Sequence, residues 1–404
     1  MLRSVALLLL SAAAVAQNVL QVGPGGYAQI RDAIAAALPG DVIEVAGGAY
    51  RPFVLDKALT IRALAGARVA VLPNLFDATQ IRPPVGTVAR IARIEFRNPW
   101  SFFVTASTSV DRGTVWFEDC IFEAPLFYET AALGVFGAAV VMRSCVLVGH
   151  NWVTSGAGQG NAGLRAENAY VGATDCQFYG SNTGFDQPGN GGEGVRALHS
   201  AVHLVGCILQ GGSRPSFCLA TNPPGPGLRV GGTSSVWLAD CSVVGGNDYC
   251  AGGTGAIGLV NASAVPVQHA RTSIQGGAGT TSGAATSGPV VAAPLLGAVG
   301  TAGALVRGQV WSVDYRTEPN WPVAVVVGSG LERRADPQVV QPVWLPAGGF
   351  GLLAVLVADA QGAATYATSV PVSPVLLGAG LWVEAVSGVA LPLQTVPAVG
   401  GLVW

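Results

Sequence analysis

Apolar and polar positions alternate in five short segments, each ending in a cysteine: 115–120, 140–145, 171–176, 202–207 and 236–241. The residue two past each cysteine is again apolar: Phe122, Leu147, Phe178, Leu209 and Val243. A period of two marks β-strands. The cysteines recur at intervals of 25, 31, 31 and 34 residues. A sixth copy at 267–274 puts Thr272 in the cysteine position, and an upstream copy at 90–96 puts Ile94 there. A second strand precedes three of these segments, in Gly163-Leu-Arg-Ala, Gly194-Val-Arg-Ala and Gly227-Leu-Arg-Val. The pairs Gly211-Gly212, Gly245-Gly246 and Gly276-Gly277 follow the cysteine strands at constant phase and read as sharp corners.

Repeats of this length also suit leucine-rich, propeller or hairpin arrays. The leucine-asparagine signature of the first is missing, and a propeller blade needs a longer, four-stranded repeat. A parallel β-solenoid fits best, each coil stacked about 4.8 Å above the last. Cys120, Cys145, Cys176, Cys207, Cys241 and Thr272 then form an interior ladder. Long spacings without a CxxC pair favour thiols packed as small hydrophobes over a metal site or redox relay, and in-register strands offer poor disulfide geometry. Cys218 and Cys250 lie 11 and 9 residues past Cys207 and Cys241, in equivalent loops, and are expected to form a disulfide.

The N-terminal segment is of another kind. Arg3, the apolar run that follows it and Ala14-Val15-Ala16 predict a signal peptide over residues 1–16. The apolar run is shorter than the roughly 20 residues that span a bilayer, and no later transmembrane segment is expected. Residues 30–38 carry helical periodicity closed by Pro39-Gly40, and this helix is expected to cover the open edge of the first coil. The expected β-helix spans 17–300. From residue 301 to 404 the cysteine phase is lost. Seven short alternating stretches there, with Trp311, Trp321, Trp344, Trp382 and Trp404, predict a small C-terminal β-sandwich-like domain. The fold class is all-β.

Composition narrows the functions. With 21 basic and 23 acidic residues the formal charge is −2, which gives no reason to expect nucleic-acid binding. Half the residues are hydrophobic, so the chain is not a disordered one. Glycine, at 56 residues, and the low charge density disfavour a helical enzyme. Lys57 is the lone lysine.

Candidate chemistry lies on the outer face. Arg165, Arg196 and Arg229 share one phase in successive coils. Arg229 stands 12 residues before its cysteine rather than 11, so a longer corner or bulge must absorb one residue. Three planar guanidinium groups in a row match the carboxylates of an acidic polysaccharide; the alternative is a solvated row paired with Glu167, Glu193 and Asp186. Trp152, Phe185 and Tyr249, with Phe217, sit in the flanking loops and are candidates for sugar stacking. Asp119, Asp175 and Asp240 each precede a ladder cysteine, but two coils, or about 10 Å, separate them, and they are read as exposed strand or corner carboxylates. His150, His199, His203 and His269 lack compact metal spacing; neither a metal nor a cofactor is expected.

Gly25-Gly26-Tyr27, Pro39-Gly40-Asp41 and Gly48-Ala49-Tyr50, with the cysteine-strand repeats, resemble the pectate-lyase-like superfamily of right-handed parallel β-helix proteins over residues 19–296. The resemblance implies the fold. It does not imply a reaction, since this fold carries lyases, hydrolases, epimerases and non-catalytic adhesins. The Arg-x-Pro-x-x-Arg and Trp-x-Asp-His segments of pectate lyases are missing, as are the consecutive aspartates of polygalacturonases, so no catalytic residue is carried over. The leading expectation is a secreted or cell-surface β-helix with a non-catalytic glycan-binding, matrix-binding or structural role. The alternative is a divergent polysaccharide lyase or glycoside hydrolase acting on an acidic polysaccharide.

Overall fold

The computed structural model describes residues 18–402 apart from 74–76, 98–107, 126–129, 151–157, 184–188, 216–221, 294–297, 302–304, 329–342, 344, 346–349, 373–379, 390–392 and 396–398. The expected signal peptide lies outside the described residues. No described helix is long and apolar enough to cross a membrane. Two compact units are present, one over Val19–Ala292 and one over the chain from Ala293 onward.

The first unit is a right-handed parallel β-helix built of three parallel sheets, with 11, 9 and 9 described strands. One coil shows the plan. Ala162–Glu167 lies in the sheet that carries the arginines, Tyr170–Thr174 in the long sheet, and Gln177–Tyr179 in the third sheet. Each pairs in register with its counterpart one coil away. Alternation sends Leu164, Ala166, Val171, Ala173 and Phe178 into the core, all fully buried. Phe122, Leu147, Phe178, Leu209 and Val243 are aligned coil by coil in the third sheet, as the sequence period predicts.

Single left-handed residues make the corners of most coils. Between the long and third sheets these are Arg93, Asp119, Ser144, Asp175, Asp240 and Arg271, with φ from 43° to 59°, and Gly206 at 63°. Between the arginine sheet and the long sheet they include Gly137, Asn168, His199 and Gly232, at 49° to 62°. Asparagine, aspartate and glycine tolerate this conformation best. The aspartates before the cysteines are therefore corner residues, and the left-handed backbone is the physical reason for their recurrence.

The corner also accounts for the ladder. The carbonyl oxygen two residues before each ladder cysteine accepts the N–H of a corner residue in the preceding coil, as in Asp119 to Arg143 at 3.0 Å and Asp175 to Val205 at 2.9 Å. The cysteine thiol reaches the same oxygen: Sγ of Cys120, Cys145, Cys176 and Cys207 lies 3.3 Å away, and that of Cys241 lies 3.1 Å away. Thr272 Oγ1 donates to Ala270 at 3.0 Å in the equivalent place. A small γ-donor is what threonine shares with cysteine, so the row packs as an apolar core and also serves these carbonyls. All five ladder cysteines are free buried thiols. Burial pushes the Cys120, Cys145, Cys176 and Cys241 thiols well up from the ordinary range.

The glycine pairs correct the sequence expectation. Gly211, Gly212, Gly245, Gly246, Gly276 and Gly277 are not left-handed turn residues. They stand where backbones meet. A Cβ on Gly212 would lie 1.7 Å from the Ser181 carbonyl oxygen, and one on Gly246 would lie 2.0 Å from that of Gly212. A column of backbone hydrogen bonds of 2.8–2.9 Å runs through this region. It passes from Asn161 through Ser181, Gly192, Gly212, Gly225, Gly246, Ala256 and Gly277 to Gly283, each N–H donating to the carbonyl of the residue named before it. Two extended segments from each coil interleave with almost no side chain between them. That is why glycine is abundant here.

Helix α1, Ile30–Ala36, buries Ile30, Ala33 and Ile34 in the same core as the first coils. The lone lysine caps it. Lys57 Nζ donates to the carbonyls of Ile34, Ala35 and Ala37 at 2.8, 3.1 and 2.8 Å, satisfying oxygens that a helix end leaves open.

The second unit is all antiparallel. A three-stranded sheet contains Ala298–Thr301, Val310–Arg316 and Ala363–Ser369, and a five-stranded sheet is built around Pro322–Gly328, Phe350–Val357 and Gly380–Ser387. Their shared core includes Trp311, Val313, Tyr315, Val323, Val325 and Val383. Trp382 is buried and Trp321 half-buried; Trp344 and Trp404 lie outside the described residues.

Two outcomes check these assignments. Gly212→Ala, which sets a methyl against backbone, should destabilise the β-helix by about 3 kcal/mol or more. Gly137→Ala, left-handed but facing open space, should cost only about 1–2 kcal/mol; denaturant unfolding separates the two. Alkylation followed by peptide mapping should leave the five ladder cysteines unlabelled in the native protein and label all five in denaturant.

Candidate functional site

Register places the three arginines in one row. Arg165 pairs with Arg196, and Arg196 with Arg229, in three neighbouring strands of one sheet. Their neighbours along each strand, Leu164 and Ala166, Val195 and Ala197, and Leu228 and Val230, are buried in the core, so alternation turns the guanidinium groups outward. The backbones repeat at about 4.8 Å. The extra residue before Cys241 is absorbed in the corner. Gly232, Thr233 and Ser234 separate Leu228–Gly231 from Ser235–Ala239, whereas two residues separate Val195–Leu198 from Ala201–Val205. Ser234 Oγ closes the longer corner on the Gly231 carbonyl at 2.7 Å.

Two arginines already have acids. Arg165 Nη2 lies 2.6 Å from Glu167 Oε1, on the same outer face of its own strand. Arg229 Nε lies 2.8 Å from Glu193 Oε1, whose side chain is 1% exposed. Arg196, half-buried between them, has neither an ion pair nor a side-chain hydrogen bond among the described residues. Three cations thus face two carboxylates, and the unmatched charge sits at the centre of the row.

One aromatic neighbour was not found from the sequence. Phe136 lies one coil before Glu167 in register, with its ring centroid 5.9 Å from Arg165 Cζ. Gly134, next to Arg165 in the row, makes this possible. A Cβ there would lie 2.6 Å from the Phe136 ring, so the ring folds back across the glycine. The usable signal was the register: Phe136 precedes the Gly137 corner as Glu167 precedes Asn168.

The flanking loops are described in part. Tyr249 is 60% exposed, and its hydroxyl accepts from Asn247 Nδ2 at 3.0 Å. Trp152, Phe185, Phe217 and Asp186 lie outside the described residues. Beside Tyr249, Asp248 is buried, accepts the Cys250 N–H at 3.0 Å and pairs with Arg214 at 3.3 Å. A side-chain ladder joins these loops: Asn182 Oδ1 accepts the Ser213 N–H, Ser213 Oγ the Asn247 N–H and Asn247 Oδ1 the Ala278 N–H, at 2.8, 3.0 and 2.8 Å. Cys250 is buried and is not one of the free thiols. Its expected partner Cys218 lies outside the described residues.

The remaining candidates are placed elsewhere. Asp240 forms a two-pronged pair with Arg271 at 2.6 Å, corner to corner. His203 lies on the long sheet between Tyr170 and Trp237, with ring centroids 5.4 and 6.1 Å away. No group of three or more His, Cys, Asp or Glu suited to a metal ion occurs among the described residues.

No family model matches the chain, and no curated protein matches it. Among solved structures, the chain is similar to pectate lyase Pel9A, with 10% identity over 69% of this chain and 78% of that one, at a TM-score of 0.38. It is also similar to the enzymatically active domain of tailspike protein 2 of bacteriophage CBA120, with 9% identity over 93% and 73% and a TM-score of 0.33. The full-length tailspike protein 2 from an Escherichia coli O157:H7 bacteriophage gives 9% identity over 93% and 65%, at 0.29.

Proposed function

We propose that this chain is an exported β-helix protein that binds an acidic polysaccharide along the Arg165–Arg196–Arg229 row. The observation that carries the reading is the in-register stacking of three outward guanidinium groups, with Arg196 unmatched by any acid among the described residues. A polymer with a carboxylate on each sugar offers repeated partners to such a row, and the planar fork binds a carboxylate through two parallel hydrogen bonds. Glu167 and Glu193 hold the outer two guanidiniums in place and leave the middle one to the ligand. Phe136 and Tyr249 add apolar faces against which a sugar ring can lie. Export fits the expected signal peptide and a Cys218–Cys250 disulfide between adjacent loops, which we include in the proposal.

Polygalacturonate and alginate are the probes, with neutral dextran as the control. The native protein should bind one of the acidic polymers, with affinity falling as salt rises. Arg196→Gln should weaken that binding by about tenfold while leaving the unfolding midpoint unchanged. Undiminished binding by Arg196→Gln, or by the triple Arg165, Arg196 and Arg229 to Gln variant, overturns the reading. Release of unsaturated sugars from either polymer would instead assign the row to a lyase.

The disulfide is checked by counting thiols. The chain has seven cysteines. Unfolding without reductant should expose only the five ladder thiols, and Cys218 and Cys250 should be released together on reduction. Seven thiols before reduction would remove the bridge.

A further inference from the structure

The three positions of the arginine row are not equal. Glu167 stands two residues past Arg165 on one strand, and its Oε1 accepts from Nε at 2.7 Å and from Nη2 at 2.6 Å. Register puts Leu198 at that phase beside Arg196, and Gly231 beside Arg229. On the other flank, Ala162, Glu193 and Pro226 each stand two residues before the buried Leu164, Val195 and Leu228. Glu193 is the acid among these three, and it pairs with Arg229 one coil on. Each flank thus supplies one acid, and both acids go to the outer guanidiniums. At the centre, Leu198 stands where Glu167 stands one coil earlier.

We infer that the row takes one ionised carboxylate, at Arg196, between uncharged sugar residues at Arg165 and Arg229. This rests on the acidic-polysaccharide reading and names the class of polymer within it. The ligand carries a free uronate with neutral neighbours, as in a partly esterified uronan or a chain that alternates uronate with neutral sugar. The three backbones span about 10 Å along the axis, the reach of a short run of sugar rings. A second ligand carboxylate at Arg165 would lie beside Glu167, and a third at Arg229 beside Glu193, which is 1% exposed. A carboxylate tethered next to its guanidinium also holds it against one arriving from solution, because its effective concentration is high. Three cations and two fixed acids leave a local charge of +1, which one carboxylate neutralises and three overshoot. The outer positions suit neutral oxygens instead. Arg229 bonds Glu193 through Nε, which leaves its Nη donors for sugar hydroxyls.

The probes are uronate trimers cut from whichever of polygalacturonate and alginate binds. Each is used in three forms: unmodified, methyl-esterified on the two outer residues, and esterified on all three. In NMR titrations of the full mature chain, the outer-esterified trimer should bind within about threefold of the unmodified one, and full esterification should weaken binding by about tenfold or more. Three equal carboxylate sites would instead lose about a hundredfold on outer esterification. Glu167→Gln, at a half-buried surface position, should tighten the unmodified trimer by about fivefold and leave the outer-esterified one unchanged. Asp186→Asn should change neither. A larger loss on outer esterification overturns the inference and leaves the acidic-polysaccharide reading in place. So does a Glu167→Gln variant that treats both trimers as the native chain does, or an unmodified trimer that fails to bind where its polymer binds. A gain in Asp186→Asn matching that of Glu167→Gln would give Arg196 an acid of its own and overturns it equally. Failure of every uronate polymer to bind overturns both readings together.

Discussion

Everything in the β-helix follows from one constraint: each coil must hydrogen-bond to the next along the axis, in register, at about 4.8 Å. A residue type that suits a position in one coil then lies directly over the same position in the next. Buried backbone groups must be paired, and here nearly all of that pairing runs between coils. The corners show the consequence. A single left-handed residue bends the strand while its N–H still reaches the neighbouring coil, as Ser144 does to Thr174 and Gly206 to Ala239. The oxygen it reaches is shared with the thiol of the ladder cysteine, so bend and ladder recur together.

Stacking in register brings like next to like, which is harmless for cysteine or valine and costly for charge. The structure meets that cost differently on each face. On the third sheet, cations and anions interleave within and between coils: Arg68 and Arg97 both meet Glu95, and Arg97 also reaches Glu123. Burial pushes the Glu95 carboxyl up, but its hydrogen bonds to the Arg97 and Arg68 guanidiniums outweigh that and hold it below its ordinary range. On the arginine sheet the same sign is repeated three times. Compensation comes from the side, from Glu167 two residues along one strand and from Glu193 at the buried start of the preceding coil. Among the described residues, acids thus stand beside the outer two of three aligned cations.

How much was legible in the sequence depended on whether the signal was periodic in side chains or resided in backbone geometry. The strand period, the cysteine interval and the Gly-[Leu/Val]-Arg motif each describe which way a side chain points, and the structure places those strands accordingly. Gly211-Gly212 and Gly245-Gly246 did not read correctly, because a glycine needed for close approach and one needed for a left-handed turn look the same in a sequence. Asp119, Asp175 and Asp240 are read from the sequence as exposed strand or corner carboxylates, and they stand at corners; Ser144, Gly206 and Arg271 at the same phase show that backbone conformation selects the position. Lys57 was legible only as a rarity; its three carbonyl partners come from a helix about twenty residues earlier in the chain.

The N-terminal end of the β-helix shows how a terminal strand edge is handled in this fold. At the N-terminal end of the β-helix, Val19–Val22 is the terminal strand of the long sheet, and α1 contributes Ile30, Ala33 and Ile34 to the core of the first coils. A short amphipathic helix can do this because its apolar face needs only the width of one coil, and its open carbonyls are taken by a cation from the following strand region.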